Sequence, residues 1–227
     1  EHQKETLAFM QYSLQEDSDL SINLHGGAEV CNYPWDTWYE SQKQHPDRDW
    51  FISLCQEFVS QVREAGGGNY FTDVSYSGII NGGDWYRIYG SRQDWQNWYT
   101  KARELTLEVS TTKTPSSNLL PQYWNKLKDG LIGFISNSLT GVEGQIKDIT
   151  NNETITNATI EVLGLDFDSL FTYSNSQGYY FRPLLEGNYE LKVTAEGYND
   201  TIMNININNN STHLQDIYLT PSLTSLL

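Results

Sequence analysis

The chain is poor in positive charge. It has 14 lysine and arginine residues against 29 aspartate and glutamate residues among 227, which gives a formal net charge of -15 and a pI of about 4.5. Such an acidic surface repels a phosphate backbone, so the composition argues against a nucleic-acid partner. No apolar run is long enough to cross a bilayer, and no basic-then-apolar signal opens the chain. Because the sequence does not start with methionine, we expect a processed product or a fragment.

Cysteine and histidine are also scarce. The two cysteines, Cys31 and Cys55, could form a disulfide or remain two buried thiols, and this pair alone does not decide the compartment. There are four histidines, so each can be considered by its own context.

The first part of the chain has the pattern of an α/β domain. Apolar residues at helical spacing and alternating apolar and polar residues follow one another over residues 3–140. In the last of the helices, we expect a buried stripe made of Tyr123, Trp124, Leu127, Leu131 and Ile135, with Gly141 ending the segment. Helices are predicted over residues 5–15, 49–65 and 121–135, and strands over residues 20–24 and 105–109.

The pattern of apolar and polar residues changes at Gly141. Seven short alternating runs, separated by turn residues, are typical of a small β-sandwich. We therefore place a domain boundary here, with domains over residues 1–140 and 141–227. The strands are predicted over residues 142–149, 156–163, 169–173, 179–183, 188–195, 201–207 and 213–219.

Two strands of the first domain carry candidate functional side chains. His25 ends an alternating strand, at the position where functional side chains collect in α/β sheets. Thr106 and Glu108 share one face of the strand LTLEV, where a carboxylate is costly unless a partner or a site solvates it. The alternatives are a buried histidine bonded to a backbone carbonyl, and an edge strand whose polar face is simply solvated.

An HxxE motif, a spacing that can hold a metal, occurs at His2 and Glu5. With acidic residues at 29 of 227 positions, four histidines give roughly 0.5 such matches by chance. His213 and Asp216 form a second match inside the predicted sandwich. We therefore interpret His2 and Glu5 as a chance match and not as a metal site.

Residues 81–95, NGGDWYRIYGSRQDW, are rich in glycine and aromatic residues. A segment of this composition predicts a long ordered loop, and such loops often carry function.

Together these blocks resemble a known family. The order NLHGGAEVCNYPWD, NGGDWY, QDW and LTLEV, with TKTP after it, is similar to the zinc metallocarboxypeptidases of the carboxypeptidase N/E/D/M branch. The resemblance implies the C-terminal part of a catalytic domain, a mixed sheet flanked by helices, followed by a small all-β transthyretin-like sandwich.

The resemblance also assigns roles. His25 matches a zinc ligand, Glu108 the general base acting on the attacking water, and Tyr86 the tyrosine that closes over the substrate. Gln93 and Thr106 match positions lining the pocket for the substrate's C-terminal side chain. It implies Zn²⁺ as cofactor, peptide or protein C-termini as partners, and a secreted or periplasmic location.

Parts of the family pattern are missing. The upstream HxxE and the upstream arginines that bind the substrate carboxylate and the oxyanion do not occur here, so we expect this chain alone to bind zinc poorly and to be inactive. The resemblance implies a preference for C-terminal Lys or Arg that uses an acidic pocket residue upstream of the NG motif, but residues 64–69, EAGGGN, offer no aspartate. Gln93 would tolerate a basic side chain and the acidic surface would attract one, so a basic preference is an expectation here. The alternative is a non-catalytic protein that recognises peptides or glycans through its Trp- and Tyr-rich loops.

Overall fold

The computed structural model describes residues 2–16, 18–208 and 211–222. The chain divides into two compact units, Glu1–Ser136 and Asn137–Leu227. The first has helices and a mixed sheet, and the second has mainly strands, which confirms the predicted fold class.

The first unit is built on a mixed four-stranded sheet with the order β1-β4-β2-β3. Strand β4 runs parallel to β1 and antiparallel to β2, while β3 runs parallel to β2. Since β4 lies between two neighbours, the edge-strand alternative for Glu108 is wrong. The strands are β1 (Leu20–His25), β2 (Ala28–Tyr33), β3 (Ile79–Asn81) and β4 (Arg103–Ser110).

Three predicted helices of this unit are confirmed with small shifts of their ends. The segment predicted as a long loop is not one, because it holds the end of β3 and two short helices, and a π-helical turn (Gln96–Thr100) follows. Strands β2 and β3 were not predicted. The helices are α1 (Lys4–Gln15), α2 (Arg48–Gly66), α3 (Gly82–Trp85), α4 (Arg92–Trp95) and α5 (Leu120–Ser136).

A disulfide joins Cys31 of β2 to Cys55 of α2, and both residues are fully buried. Successive side chains of a strand point to opposite faces of the sheet. Cys31 therefore attaches α2 to one face, and its neighbour Asn32 points to the other.

Helix α5 packs on α2 through a stripe that shares Leu127 with the predicted one but differs from it at other positions. Leu127 and Phe134 are buried, whereas Trp124 and Ile135 are 58% and 66% exposed. The reason is Gly130, where an added Cβ would lie 2.8 Å from a ring atom of α2. The helices approach closely at this glycine, which is itself buried and belongs to the stripe.

Helix α1 forms where it is predicted, but three of its apolar residues do not belong to its packing face. Leu7, Tyr12 and Leu14 are each more than half exposed, whereas Ser13 is buried. Ser13 accepts a hydrogen bond from the Gln96 side chain at 3.1 Å.

The second unit contains two sheets around a core of aliphatic side chains. One sheet has the order β10-β9-β6-β7, and in the other β5 pairs with β8, β11 and β12. The run 213–219, predicted as one strand, forms two. The strands are β5 (Gly141–Asp148), β6 (Thr159–Val162), β7 (Thr172–Tyr173), β8 (Tyr179–Pro183), β9 (Gly187–Thr194), β10 (Thr201–Ile207), β11 (Thr212–Leu214) and β12 (Ile217–Leu219).

Candidate active site

Strand register collects the polar side chains of three strands on one face of the first sheet. His25 of β1 lies opposite Glu108 of β4. Asn23 of β1 and Asn32 of β2 both lie opposite Thr106. Register partners point to the same side of a sheet. The polar side chains that alternate along β1 and β4 therefore form a single surface.

This surface is the floor of a cavity of about 350 Å³. All five residues predicted for the site by the family resemblance line it, so the structure brings the predicted residues together. The lining residues are Asn23, His25, Asn32, Asp36, Trp85, Tyr86, Ile88, Ser91, Arg92, Gln93, Thr106 and Glu108.

His25 is not a core histidine. Its side chain is 51% exposed, and its Nε2 lies 2.8 Å from the Nδ2 of Asn23. Its other nitrogen, Nδ1, lies 3.9 Å from the Oε1 of Glu108. The alternative of a buried histidine satisfied by a backbone carbonyl is therefore wrong.

Glu108 lines the cavity and has one carboxylate oxygen without a hydrogen-bond partner among the described residues. Its side chain is 10% exposed, and its Oε2 is buried without a hydrogen-bond partner among the residues that the structure describes. Burial raises the pKa of this carboxyl, while the neighbouring His25 and Lys113 act in the opposite direction. A carboxylate with an unused buried oxygen is suited to accept a proton or a polar ligand there.

Tyr86 stands directly after the short helix α3 and lines the cavity. The side chain of Asn81 accepts a hydrogen bond from the backbone of Asp84 and so caps this helix. Tyr86 is 51% exposed, and burial raises its pKa, with smaller contributions from Glu108 and Asp36.

The far end of the cavity is rich in acceptors. Gln93 is 1% exposed, and its Nε2 donates to Asn32 Oδ1 at 3.1 Å and to Asp36 Oδ1 at 3.0 Å. Its Oε1 is buried and unpartnered within the described part of the chain. Thr106, 9% exposed, lines the same cavity.

Asp36 is the residue that sequence reasoning missed. It is 4% exposed, and burial, followed by the charge of Asp94, raises its pKa to about 6. Residues 64–69 offer no aspartate, whereas Asp36, shortly after β2, lines the cavity. A single aspartate in an aromatic turn gives no spacing pattern that links it to Gln93, so only the fold reveals the pair.

The loop that carries Asp36 is held in place by the QDW segment. Asp94 accepts hydrogen bonds from the backbone amides of Asp36 and Thr37 at 2.8 and 2.9 Å. Ser91 caps α4 by accepting from the backbone amide of Asp94 at 3.0 Å. Gly82 leaves room for the acid, since a Cβ there would lie 1.8 Å from Asp36 Oδ1.

The two HxxE-type matches form no site. His2 and Glu5 are both exposed, and Glu5 lies in the first turn of α1. Asp216 pairs with Lys147 at 2.8 Å. Over residues 2–16, 18–208 and 211–222 there is no group of three or more His, Cys, Asp or Glu side chains that could hold a metal.

The residues present fit one side of a zinc site. Zinc accepts imidazole nitrogen as a ligand, and His25 Nδ1 lies 3.9 Å from Oε1 of Glu108, whose other oxygen, Oε2, is buried without a partner among the described residues. A catalytic zinc has three protein ligands, so His25 would supply one of them.

Two models of known protein families match this chain, one in each of its two parts. The family model described as zinc carboxypeptidase matches residues 1–130, and the carboxypeptidase regulatory-like domain matches residues 141–220. In none of the helices described is there a stretch long and apolar enough to span a membrane.

Relatives match most of this chain but only part of their own length. Carboxypeptidase D of Mus musculus is 32% identical over 213 residues, which is 90% of this chain and 15% of that protein. Carboxypeptidase M of Mus musculus is 34% identical, over 90% of this chain and 48% of that protein. The Carboxypeptidase N catalytic chain of Rattus norvegicus is 32% identical, over 98% of this chain and 50% of that protein. The chain thus spans half or less of these relatives and belongs to the zinc carboxypeptidase family.

Proposed function

We propose that the protein carrying this chain is a zinc-dependent carboxypeptidase that removes C-terminal lysine or arginine from peptides. The observation that carries this proposal is one cavity of about 350 Å³ with two chemically different ends. His25 and Glu108 stand at one end, and Asp36 and Gln93 stand at the other.

The first end suits hydrolysis. Zinc, when bound, lowers the pKa of a coordinated water and polarises the scissile carbonyl. Glu108 accepts a proton from the attacking water and later donates it to the leaving amine. Tyr86, which lines the cavity and is half exposed, covers the substrate as its loop closes.

The second end suits a cationic side chain. A lysine ammonium offers three donors and a guanidinium five, and neither accepts hydrogen bonds. Asp36 supplies a charge, and Gln93 supplies an oxygen that has no partner among the described residues. A buried carboxylate attracts a cation more strongly than an exposed one because water screens it less.

The rest of the catalytic centre comes, in this proposal, from outside the chain. Because this chain is half or less of its relatives, we expect the other two zinc ligands and the substrate-binding arginines to lie upstream. The chain by itself is then inactive.

The test uses the full-length protein and peptides that differ only in their last residue. We expect release of C-terminal lysine, detected by mass spectrometry, that stops on chelation and returns with zinc. Glu108→Gln should lower kcat at least a hundredfold while zinc stays bound, because it removes the proton acceptor. A Glu108→Gln protein with full activity would refute the mechanism.

The location we propose is secreted or periplasmic. The Cys31–Cys55 disulfide supports it, since disulfides persist in oxidising compartments. The partners are peptide or protein C-termini, and the charge of -15 supports the absence of nucleic acid among them.

A second candidate function is non-catalytic recognition of peptides or glycans. A separate cavity of about 240 Å³ favours it, because four tryptophans line it. Binding of peptide or glycan by a full-length protein that neither binds zinc nor hydrolyses peptides would support this candidate over the first. The four are Trp35, Trp38, Trp95 and Trp98.

A further inference from the structure

Arg92 lines the catalytic cavity but has no part in the proposed chemistry. Its guanidinium is anchored by Glu104, whose side chain is fully buried. Glu104 Oε2 accepts from Arg92 Nε at 3.1 Å, from Arg92 Nη2 at 3.0 Å and from the Ser21 hydroxyl at 2.6 Å. The ring of Phe9 lies 4.2 Å from the guanidinium carbon. These contacts hold Arg92 in one orientation.

The anchored guanidinium in turn faces Asn23. Arg92 Nη1 lies 3.5 Å from Asn23 Oδ1, and Asn23 Nδ2 lies 2.8 Å from His25 Nε2. An arginine only donates hydrogen bonds, so it favours the amide oxygen of Asn23 on its own side. The amide NH₂ group then faces His25.

His25 depends on this contact for its orientation. Its side chain is 51% exposed, so surrounding atoms leave much of the ring unpacked. Because Asn23 engages Nε2, the nitrogen that remains for a metal is Nδ1, which lies 3.9 Å from Glu108 Oε1 and can bind a metal only when the ring hydrogen is on Nε2.

We propose that Asn23 is a positioning residue for His25 as a zinc ligand. This inference rests on the proposed function. When Nδ1 holds the metal, the ring hydrogen is on Nε2, so the Asn23 amide makes a half-turn and presents its oxygen to accept that hydrogen. The turn gives up the 3.5 Å contact from Arg92 to the amide oxygen. A hydrogen bond of this kind to the second nitrogen of a ligating histidine supports metal affinity.

The test measures zinc affinity of the full-length protein by competition with a chelator. Asn23→Ala should weaken zinc binding about 10- to 100-fold. Asn23→Asp should restore it to within a few-fold, because a carboxylate also accepts from Nε2 and pairs with Arg92. The double variant Arg92→Met/Glu104→Gln, which removes both charges together, should not weaken zinc binding, because it removes a donor that favours the opposite orientation of the Asn23 amide.

The matched control is Leu24→Ala. Leu24 is 55% exposed, lies beside both Asn23 and His25, and points to the other face of the strand, so zinc affinity should not change. Melting of the metal-free variants separates folding from positioning. If the alanine variant unfolds, Asn23→Leu, which fills a similar volume without a hydrogen bond, replaces it in the measurement of zinc affinity.

Two results would overturn the inference alone. One is wild-type zinc affinity in a folded Asn23→Ala or Asn23→Leu protein, and the other is an Asn23→Asp protein as weak as the alanine variant. A wild-type protein that binds no zinc would overturn the proposed function and this inference with it.

Discussion

The strongest prediction concerns the charge of Asp36. Asn has nearly the same shape as Asp, so Asp36→Asn removes the charge and leaves the packing in place. The side chain is 4% exposed and receives the Gln93 amide at 3.0 Å, a contact that the oxygen of Asn can keep. We expect the variant to fold and to lose its preference for C-terminal lysine.

The size of the loss follows from burial. Removing one partner of a buried, hydrogen-bonded charge pair costs about 2–5 kcal/mol. With 1.36 kcal/mol for each factor of ten, kcat/KM for a peptide ending in lysine should fall about 30- to 5,000-fold. The same peptide ending in leucine brings no charge to Asp36, so its kcat/KM should stay nearly constant.

The dependence of the lysine preference on pH gives a second test of the role of Asp36. Burial and the charge of Asp94 raise the pKa of Asp36 to about 6. The carboxyl is ionised above this pH and neutral below it, so the preference for lysine over leucine should fall as the pH drops through about 6. In Asp36→Asn this change in preference should disappear, because no charge remains to be lost.

The assay is competitive hydrolysis of the two peptides, followed by mass spectrometry. Asp84→Asn is the control, since it removes the same charge from an exposed residue outside the cavity lining. An unchanged lysine-to-leucine ratio in Asp36→Asn would refute the assignment of Asp36, and so would an equal loss on both peptides.

Three further substitutions test the structure around the site. Gly82→Ala places a Cβ 1.8 Å from Asp36 Oδ1, so kcat/KM for lysine peptides should fall at least tenfold more than for leucine peptides; equal losses would contradict this. Cys31→Ala/Cys55→Ala opens a loop with a sequence separation of 24 residues, so the free energy of unfolding in denaturant should fall by about 3 kcal/mol. As a control, reductant should destabilise the wild-type protein but leave the stability of the variant unchanged. Gly130→Ala improves helix propensity by about 1 kcal/mol but costs about 1–3 kcal/mol through overpacking against α2. The free energy of unfolding in denaturant should therefore fall by up to about 2 kcal/mol, and a more stable variant would contradict the close approach of the helices.

Long periodic segments were predictable because their pattern repeats several times. Helix α2 and strand β4 show apolar residues at helical and alternating spacing, and both form within two residues of the predicted ends. Strand β2 was missed because its last four residues are all buried, which leaves no alternation to detect. Strand β3 has three residues, too few for a pattern.

The direction in which a helix packs was less predictable than the helix itself. Counting apolar residues placed Trp124 and Ile135 in the buried stripe of α5. The structure places Gly130 there instead, because a residue without a side chain lets two helices approach most closely. Hydrophobicity does not report this steric preference.

The amino-acid sequence alone is enough to identify the fold class, the family, and His25 and Glu108 as facing one side of their strands. Those features depend on local periodicity and on short motifs. The tertiary structure alone shows that Asp36 meets Gln93, 57 residues later, and that Asn23 connects Arg92 to His25. Such contacts arise from strand register and loop packing between distant segments, and a hydrogen bond between them leaves no periodic trace in the chain.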